Sequence, residues 1–179
     1  TVTLWWLSLP ITLIWILAIT NAVNLIDGLD GLATGVAIIA LPTSAVTGYF
    51  FLNVTNTFIS IMMFTLVAAL IGFLPYNFHP AKIYLGDTGS LFIGFMISVF
   101  ALYGLKNATF ITIIIPVIIL GVPITDTVYA ILRRILNKKP ISQADKHHLH
   151  HRLMQMGLSH RQTVLVIYGI ALIFSSISL

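Results

Sequence analysis

The sequence predicts an all-α integral membrane protein of about six transmembrane helices. Three observations carry that prediction. Of the 179 residues, 58% are hydrophobic and only 8% are charged, against about 25% charged in a soluble domain. The apolar residues fall into runs close to the roughly 17 to 25 residues that a bilayer-spanning helix needs. The runs are continuous rather than alternating, so the spans are helices and not the strands of a barrel.

The first run covers residues 2–20 and has no charge, and Trp5 and Trp6 near its start suit a membrane interface. The second covers 32–52 and ends at the polar break Asn53-Val54-Thr55-Asn56. The third covers 57–76, followed by a loop over 77–87 that holds His79, Pro80 and Lys82. The fourth covers 88–105 and ends at Lys106-Asn107. The fifth covers 110–136, with Pro116 and Pro123 expected to kink it. Residues 137–161 form the one long polar stretch, and a sixth run covers 162–179. No repeat, low-complexity segment or soluble domain interrupts the pattern, so residues 1–179 read as one polytopic domain. There is no cysteine, which excludes disulfides and thiolate metal sites. No basic segment precedes the first run, so it does not read as a signal peptide. It reads as a chain entered part-way.

With six helices, the loops after the first, third and fifth share one face. Eight of the nine Lys and Arg residues fall on that face or in the adjoining helix end, and only Lys106 lies opposite. The positive-inside rule makes that face cytoplasmic. All five aspartates and all six histidines fall on the same side, and there is no glutamate. The chemistry is therefore expected at the cytoplasmic membrane surface. A net charge of +4 favours anionic substrates, and nothing in the pattern points to nucleic acid.

Four constellations could carry chemistry. Between the first two runs stand Asn21, Asn24, Asp27, Gly28, Asp30 and Gly31. If a helix begins near here, Asp27 and Asp30 share a face and attract a hard divalent cation. The glycines allow a close approach, and Asn21 and Asn24 can bond a ligand or cap the break. The plainer reading is a helix start with acids placed for the dipole. Tyr84-Leu85-Gly86-Asp87-Thr88-Gly89-Ser90 opens the fourth run. Asp87 is either an N-cap or a metal ligand at a phosphate site, and Tyr84 either stacks on a base or sits in the interfacial belt. His147-His148-Leu149-His150-His151-Arg152 could bind a soft metal, donate to phosphate together with Lys146 and Arg161, or form a surface amphipathic segment. Asp126 lies within a span, which makes it either a functional carboxylate or a buried partner for Arg133 or Arg134. Asp145 reads as a cap or ion partner for the histidine segment.

With these motifs in view, the sequence resembles the polyprenyl-phosphate N-acetylhexosamine-1-phosphate transferases. That family contains the cell-wall precursor translocase and the enzymes that start teichoic acid and O-antigen synthesis. The matching motifs are NAVNLIDGLDGLATG (21–35), FLPYNFHPAKIYLGDTGSLFIGF (73–95), GVPITDT (121–127) and ADKHHLHHRL (144–153). The HLHHR form is more similar to the GlcNAc-1-phosphate branch than to the muramoyl-pentapeptide translocase. The resemblance implies that undecaprenyl phosphate attacks the β-phosphorus of a UDP-N-acetylhexosamine, that UMP leaves, and that Mg²⁺ (or Mn²⁺ in its place) is required. It implies Asp27 and Asp87 as catalytic and metal-binding carboxylates. Asn24 is a further substrate-site residue. Asp30 and Asn77 become nucleoside contacts, Tyr84 the group stacked on uracil, and His148, His150, His151 and Arg152 the holders of diphosphate or sugar. The resemblance also implies a multi-pass protein of the bacterial plasma membrane, and a homodimer is compatible with this picture.

The chain departs from the family in one respect. It lacks an earlier aspartate-rich DDxxD motif and about four earlier helices, so the expectation is the C-terminal portion of a protein of about ten or eleven helices, inactive alone. The rival expectations are a transporter or ion pathway, a non-catalytic assembly subunit, and an inactive truncated homologue.

Overall fold

The computed structural model describes residues 6–50, 57–104, 116–138 and 148–179. Trp5, residues 53–56, 106–107 and 144–147 lie outside the described residues, and with them Asp145, Lys146 and His147. Besides a short helical stretch at 116–119, seven helices are present among the described residues, with no strand. They are α1 (Ser8–Ile26), α2 (Leu32–Phe50), α3 (Thr57–Asn77), α4 (Gly86–Gly104), α5 (Gly121–Leu136), α6 (Leu149–Gln155) and α7 (His160–Ser178). By length and composition α1, α2, α3 and α7 can cross a membrane, and α4 adds a shorter apolar helix. The protein is an all-α membrane protein.

Burial orders the helices. The α2 span is 56% buried, against 22% for α1, 17% for α3 and 28% for α7, so α2 occupies the middle. It packs on α3 and α7, while α1 packs on α4 and α5. One core joins Ile19 and Val23 of α1, Leu41 of α2, and Ile93, Ile97 and Phe100 of α4. A second joins Ile26, Leu32 and Val36 to Val164, Ile167 and Ala171 of α7. Leu9, Ile14, Phe64 and Ile173 face outward, where lipid is as favourable a neighbour as another leucine. The hydroxyls of Thr43, Ser44 and Thr47 donate to carbonyls one turn back, so α2 carries polar groups into the interior without orphaning them.

Without a hydrophobic drive between helices in lipid, close approach of backbones sets the packing. Among the described glycines the tightest approach to another backbone is at Gly94 of α4, where an added Cβ would stand 2.8 Å from the Thr20 Cα. The Trp15 indole N–H donates to the Ser98 carbonyl at 3.2 Å across the same pair.

The sequence expectations need three corrections and one refinement. α1 runs on through Asn21 and Asn24 to Ile26, because both carboxamides find acceptors: Asn21 on the Leu17 carbonyl, Asn24 on α4. Since α2 begins at Leu32, Asp27 and Asp30 lie in the turn and not on one helix face. The fifth run is interrupted near Pro123: residues 116–119 are helical, the helix breaks at Leu120, and α5 restarts at Gly121 with Pro123 in its first turn, where no N–H is needed. The polar 137–161 stretch is partly helical: it contains α6, and α7 starts at His160 behind a capping box made by Ser159 and Gln162.

The Gly94 contact is testable. Gly94→Val should lower the thermal midpoint by ~2–10 °C, since overpacking costs ~1–3 kcal/mol. Gly72→Val, with nothing within 4 Å of the added Cβ, should leave it almost unchanged. Equal midpoints for the two variants in detergent would refute the close-packing account.

Candidate functional site

The C-termini of α1 and α3 and the N-termini of α2, α4 and α7 meet at one end of the bundle. The Asn24 carboxamide N–H₂ reaches from α1 to α4, donating to Asp87 Oδ1 at 3.1 Å and to Ser90 Oγ at 2.8 Å. Thr34 of α2 donates to Asn77 Oδ1 of α3 at 2.8 Å, and Asn77 Nδ2 donates to the Ile83 carbonyl at 3.1 Å. The Tyr168 hydroxyl of α7 donates to the Gly31 carbonyl. These bonds close a cleft of about 310 Å³ lined by Asp27, Asp30, Asn77, Tyr84, Gly86 and Asp87.

The two carboxylates of the 27–31 turn are placed in opposite electrostatic settings. Burial, then Asp87, then Asp30 push the Asp27 carboxyl up to about 7. Asp30 also feels burial. Its Oδ2, however, accepts from His79 Nδ1 at 2.9 Å and from the Ala81 N–H at 3.2 Å, and with His160 and His79 nearby these hold it below the usual carboxylate range. Asp27 and Asp87 therefore crowd like charges into one cleft, a setting that a divalent cation would relieve. That donor set of carboxylate oxygens suits Mg²⁺.

Asp30, His79 and His160 also gather donor atoms within 4.8 Å. The two imidazoles are stacked, with centroids 4.1 Å apart and planes 18° apart, so their lone pairs lie in separate, nearly parallel planes and not in one shared coordination plane. The group is a brace. Arg161 completes it by donating from Nε to the His79 carbonyl at 3.0 Å. Sequence reading missed His79 and His160; the HPAK run and the SHRQ start of α7 were the only signals, and neither names a partner.

The histidine segment divides by burial. His148 turns its Nδ1 to Asp126 Oδ2 at 2.9 Å, so Asp126 pairs with a histidine and not, as one reading expected, with Arg133 or Arg134. His150 is 3% exposed and lies on Gly28, where a Cβ would stand 2.6 Å from the ring. Burial, then His151 and His148, depress its pKa to about 4, Asp126 opposing, so His150 is neutral near pH 7. His151 is half-buried and Arg152 is exposed. The Arg152 guanidinium stands 5.4 Å over the Tyr129 ring, at the edge of a second cleft of about 270 Å³ lined by Thr125, Asp126, Tyr129, Leu149 and Arg152.

The structure thus brings Asp27, Asp30, Asn77, Tyr84 and Asp87 around one cleft, with Asn24 behind Asp87. Asn77 is 2% exposed and both ends of its carboxamide are engaged by the protein; Tyr84 is 72% exposed at the rim. Gly28 joins the histidine helix to this wall through His150.

Comparison with known proteins follows the same outline. The model of glycosyl transferase family 4 matches residues 1–105. The chain is 58% identical over 171 residues to the probable undecaprenyl-phosphate N-acetylglucosaminyl 1-phosphate transferase of Bacillus subtilis, covering 95% of this chain and 47% of that protein. It is 36% identical over 178 residues to the decaprenyl-phosphate N-acetylglucosaminephosphotransferase of Mycobacterium tuberculosis, covering 90% and 44%. It is 37% identical over 176 residues to the phospho-N-acetylmuramoyl-pentapeptide-transferase of Clostridium beijerinckii, covering 93% and 49%. The chain spans about half the length of the curated relatives it matches.

His150 supplies a pH test. Its folded pKa lies below the unfolded value of about 6.5. The stability it contributes is complete above pH 6.5 and is lost as pH falls toward 4. His150→Gln should flatten the fall of the thermal midpoint between pH 6.5 and 4. Parallel curves for wild type and variant would remove His150 as the source.

Proposed function

The chain belongs to glycosyl transferase family 4, and we propose that, within a protein about twice its length, it transfers N-acetylglucosamine 1-phosphate from UDP-GlcNAc to undecaprenyl phosphate. An oxygen of the lipid phosphate forms a bond to the β-phosphorus of the nucleotide sugar. The bond from that phosphorus to the bridging oxygen breaks, and UMP leaves with the oxygen. The product is a lipid-linked sugar diphosphate, the start of a cell-wall or surface polysaccharide, made at the cytoplasmic face of the bacterial membrane.

The observation that carries this reading is the cleft in which Asp27 and Asp87 repel each other beside a turn fitted to hold Asp30 as an anion. Asp27 and Asp87 would hold Mg²⁺, which supplies neutralising charge for phosphate oxygens when bound. Asp30 has one oxygen committed to His79 and Ala81, leaving the other to accept an N–H from a nucleobase. Tyr84 offers an exposed ring at the rim for that base. Arg152 and His151 are the donors nearest to solvent for a diphosphate. Phosphoryl transfer asks for this combination of positioning and charge neutralisation more than for covalent participation by the protein. The apolar helices around the cleft suit an acceptor that arrives from the bilayer. The cluster of carboxylates at one end of the bundle favours this reading over a transporter, whose ionisable groups would line a path through it.

The test is transfer of radiolabel from UDP-GlcNAc to undecaprenyl phosphate by the full-length protein with Mg²⁺. Asp87→Asn should lower kcat by about 100-fold or more, and chelation followed by Mg²⁺ should abolish and restore activity. The 179-residue chain alone should be inactive. No transfer by the wild type to any polyprenyl phosphate would refute the reaction, and full activity of Asp87→Asn would refute the metal role.

A further inference from the structure

Asp30 lines the main cleft, with 19% of its side chain exposed. Both donors to its Oδ2 come from the connection between α3 and α4: His79 Nδ1 at 2.9 Å and the Ala81 N–H at 3.2 Å. A carboxylate can only accept, so the proton in the first bond belongs to His79 Nδ1. Oδ1 takes no hydrogen bond from the described residues and is the oxygen left for a ligand.

The connection is itself held from both sides. The Lys82 and Ile83 N–H groups donate to the Tyr76 carbonyl at 2.8 and 3.1 Å, which folds it back on the end of α3. From α7, Arg161 Nε donates to the His79 carbonyl at 3.0 Å, and the His160 ring stacks on His79 at 4.1 Å. The same connection brings Tyr84 to the rim of the cleft. One short segment thus carries a ring for the face of a planar base and the clamp on the carboxylate that would meet its edge.

A fixed anionic oxygen selects among bases. Uracil presents an N–H at its N3, where cytosine has a bare acceptor nitrogen. An acceptor set against an acceptor leaves both unpaired, and such a mismatch discriminates strongly. A carboxylate free to turn would also reach the exocyclic amine of cytosine, so selection depends on how firmly Oδ2 is held. We propose that His79 is a positioning residue that sets base specificity: by holding Asp30 Oδ2 it aims Oδ1 at the N3–H of a uridine nucleotide and excludes cytidine nucleotides from the cleft. This rests on the reaction proposed above, in which Asp30 meets the base. His79→Phe keeps a ring to stack on His160 and lacks the donor. The Ala81 N–H remains, so Asp30 keeps one bond to Oδ2 and gains freedom to turn about it. His79→Asn puts a carboxamide N–H₂ where Nδ1 stands and returns the donor.

The experiment uses the full-length protein in the radiolabel transfer assay, with UMP and CMP as competing inhibitors. Wild type should bind UMP more tightly than CMP. His79→Phe should raise KM for UDP-GlcNAc and the inhibition constant of UMP by about 10-fold, with kcat moved far less and the CMP constant unchanged or lowered. His79→Asn should return the preference for UMP to near the wild-type ratio. If His79→Phe does not fold, His79→Gln carries the same expectation, since its amide nitrogen falls at the Nε2 position, away from Asp30. UMP and CMP constants that rise together in the variant without the donor overturn the proposal, because a loosened cleft does not distinguish bases. An unchanged preference for UMP overturns it too, as does a His79→Asn no more selective than His79→Phe. A wild type that transfers sugar phosphate without distinguishing UMP from CMP overturns Asp30 as the base contact and the role of His79 with it. Absence of transfer by the wild type overturns the reaction itself.

Discussion

The packing of α1 against α4 is the constraint on which the cleft depends. Gly94 lets the two backbones approach until no Cβ would fit against Thr20. One turn beyond, that closeness lets the short Asn24 side chain span the gap to Asp87 and Ser90. Asp87 is thereby fixed beside the end of α1, where the chain turns and places Asp27. In lipid, such contacts are set by steric fit and by hydrogen bonds with no competing water, so small residues and carboxamides matter more than bulky apolar ones. The apolar surface of α1 and α3 mostly faces outward and contributes to membrane residence, not to the shape of the site.

The same end of the bundle treats two carboxylates three residues apart in opposite ways. Asp27 loses water and gains like-charged neighbours, so its neutral form is favoured. Asp30 gains two donors and a pair of histidines, so its charge is retained. The brace behind it reaches through the stacked His79 and His160 rings to Arg161 at the start of α7. In the proposed reaction, a carboxylate that shares a metal and one that accepts a ligand's N–H would need these different settings, and one turn of chain supplies both.

The histidine segment shows how a short helix can be held without much burial of its own. α6 has seven residues, too few to be stable alone. Asp126 holds its N-terminus, its contacts with α7 hold its body, and His150 locks it onto Gly28. Only part of the histidine run faces outward, which a run of four histidines in sequence does not disclose.

The sequence by itself determined the membrane-embedded helical class, the order of the apolar runs and the gathering of the acids and histidines at one end. These follow from composition and periodicity, which lipid enforces strictly because it offers the backbone no partners. The cleft residues Asp27, Asp30 and Asp87 were legible as motifs because Gly, Asp and Asn are conspicuous between apolar helices; Tyr84 was legible from its place three residues before Asp87, and Asn77 only through the family resemblance. The tertiary structure alone decided which of them touch. Asn24 could have broken α1, yet it continues the helix because α4 supplies its acceptors. Asp126 could have paired with an arginine about two turns along its own helix, yet it takes His148 at the N-cap of a different one. His79 and His160, 81 positions apart in numbering, stack only because α3 and α7 end and begin at the same point. Periodicity reports which face of a helix is apolar. It carries no information on which polar side chain from another helix will meet a given carboxylate, and that pairing sets the charge, the proton position and the chemistry of the site.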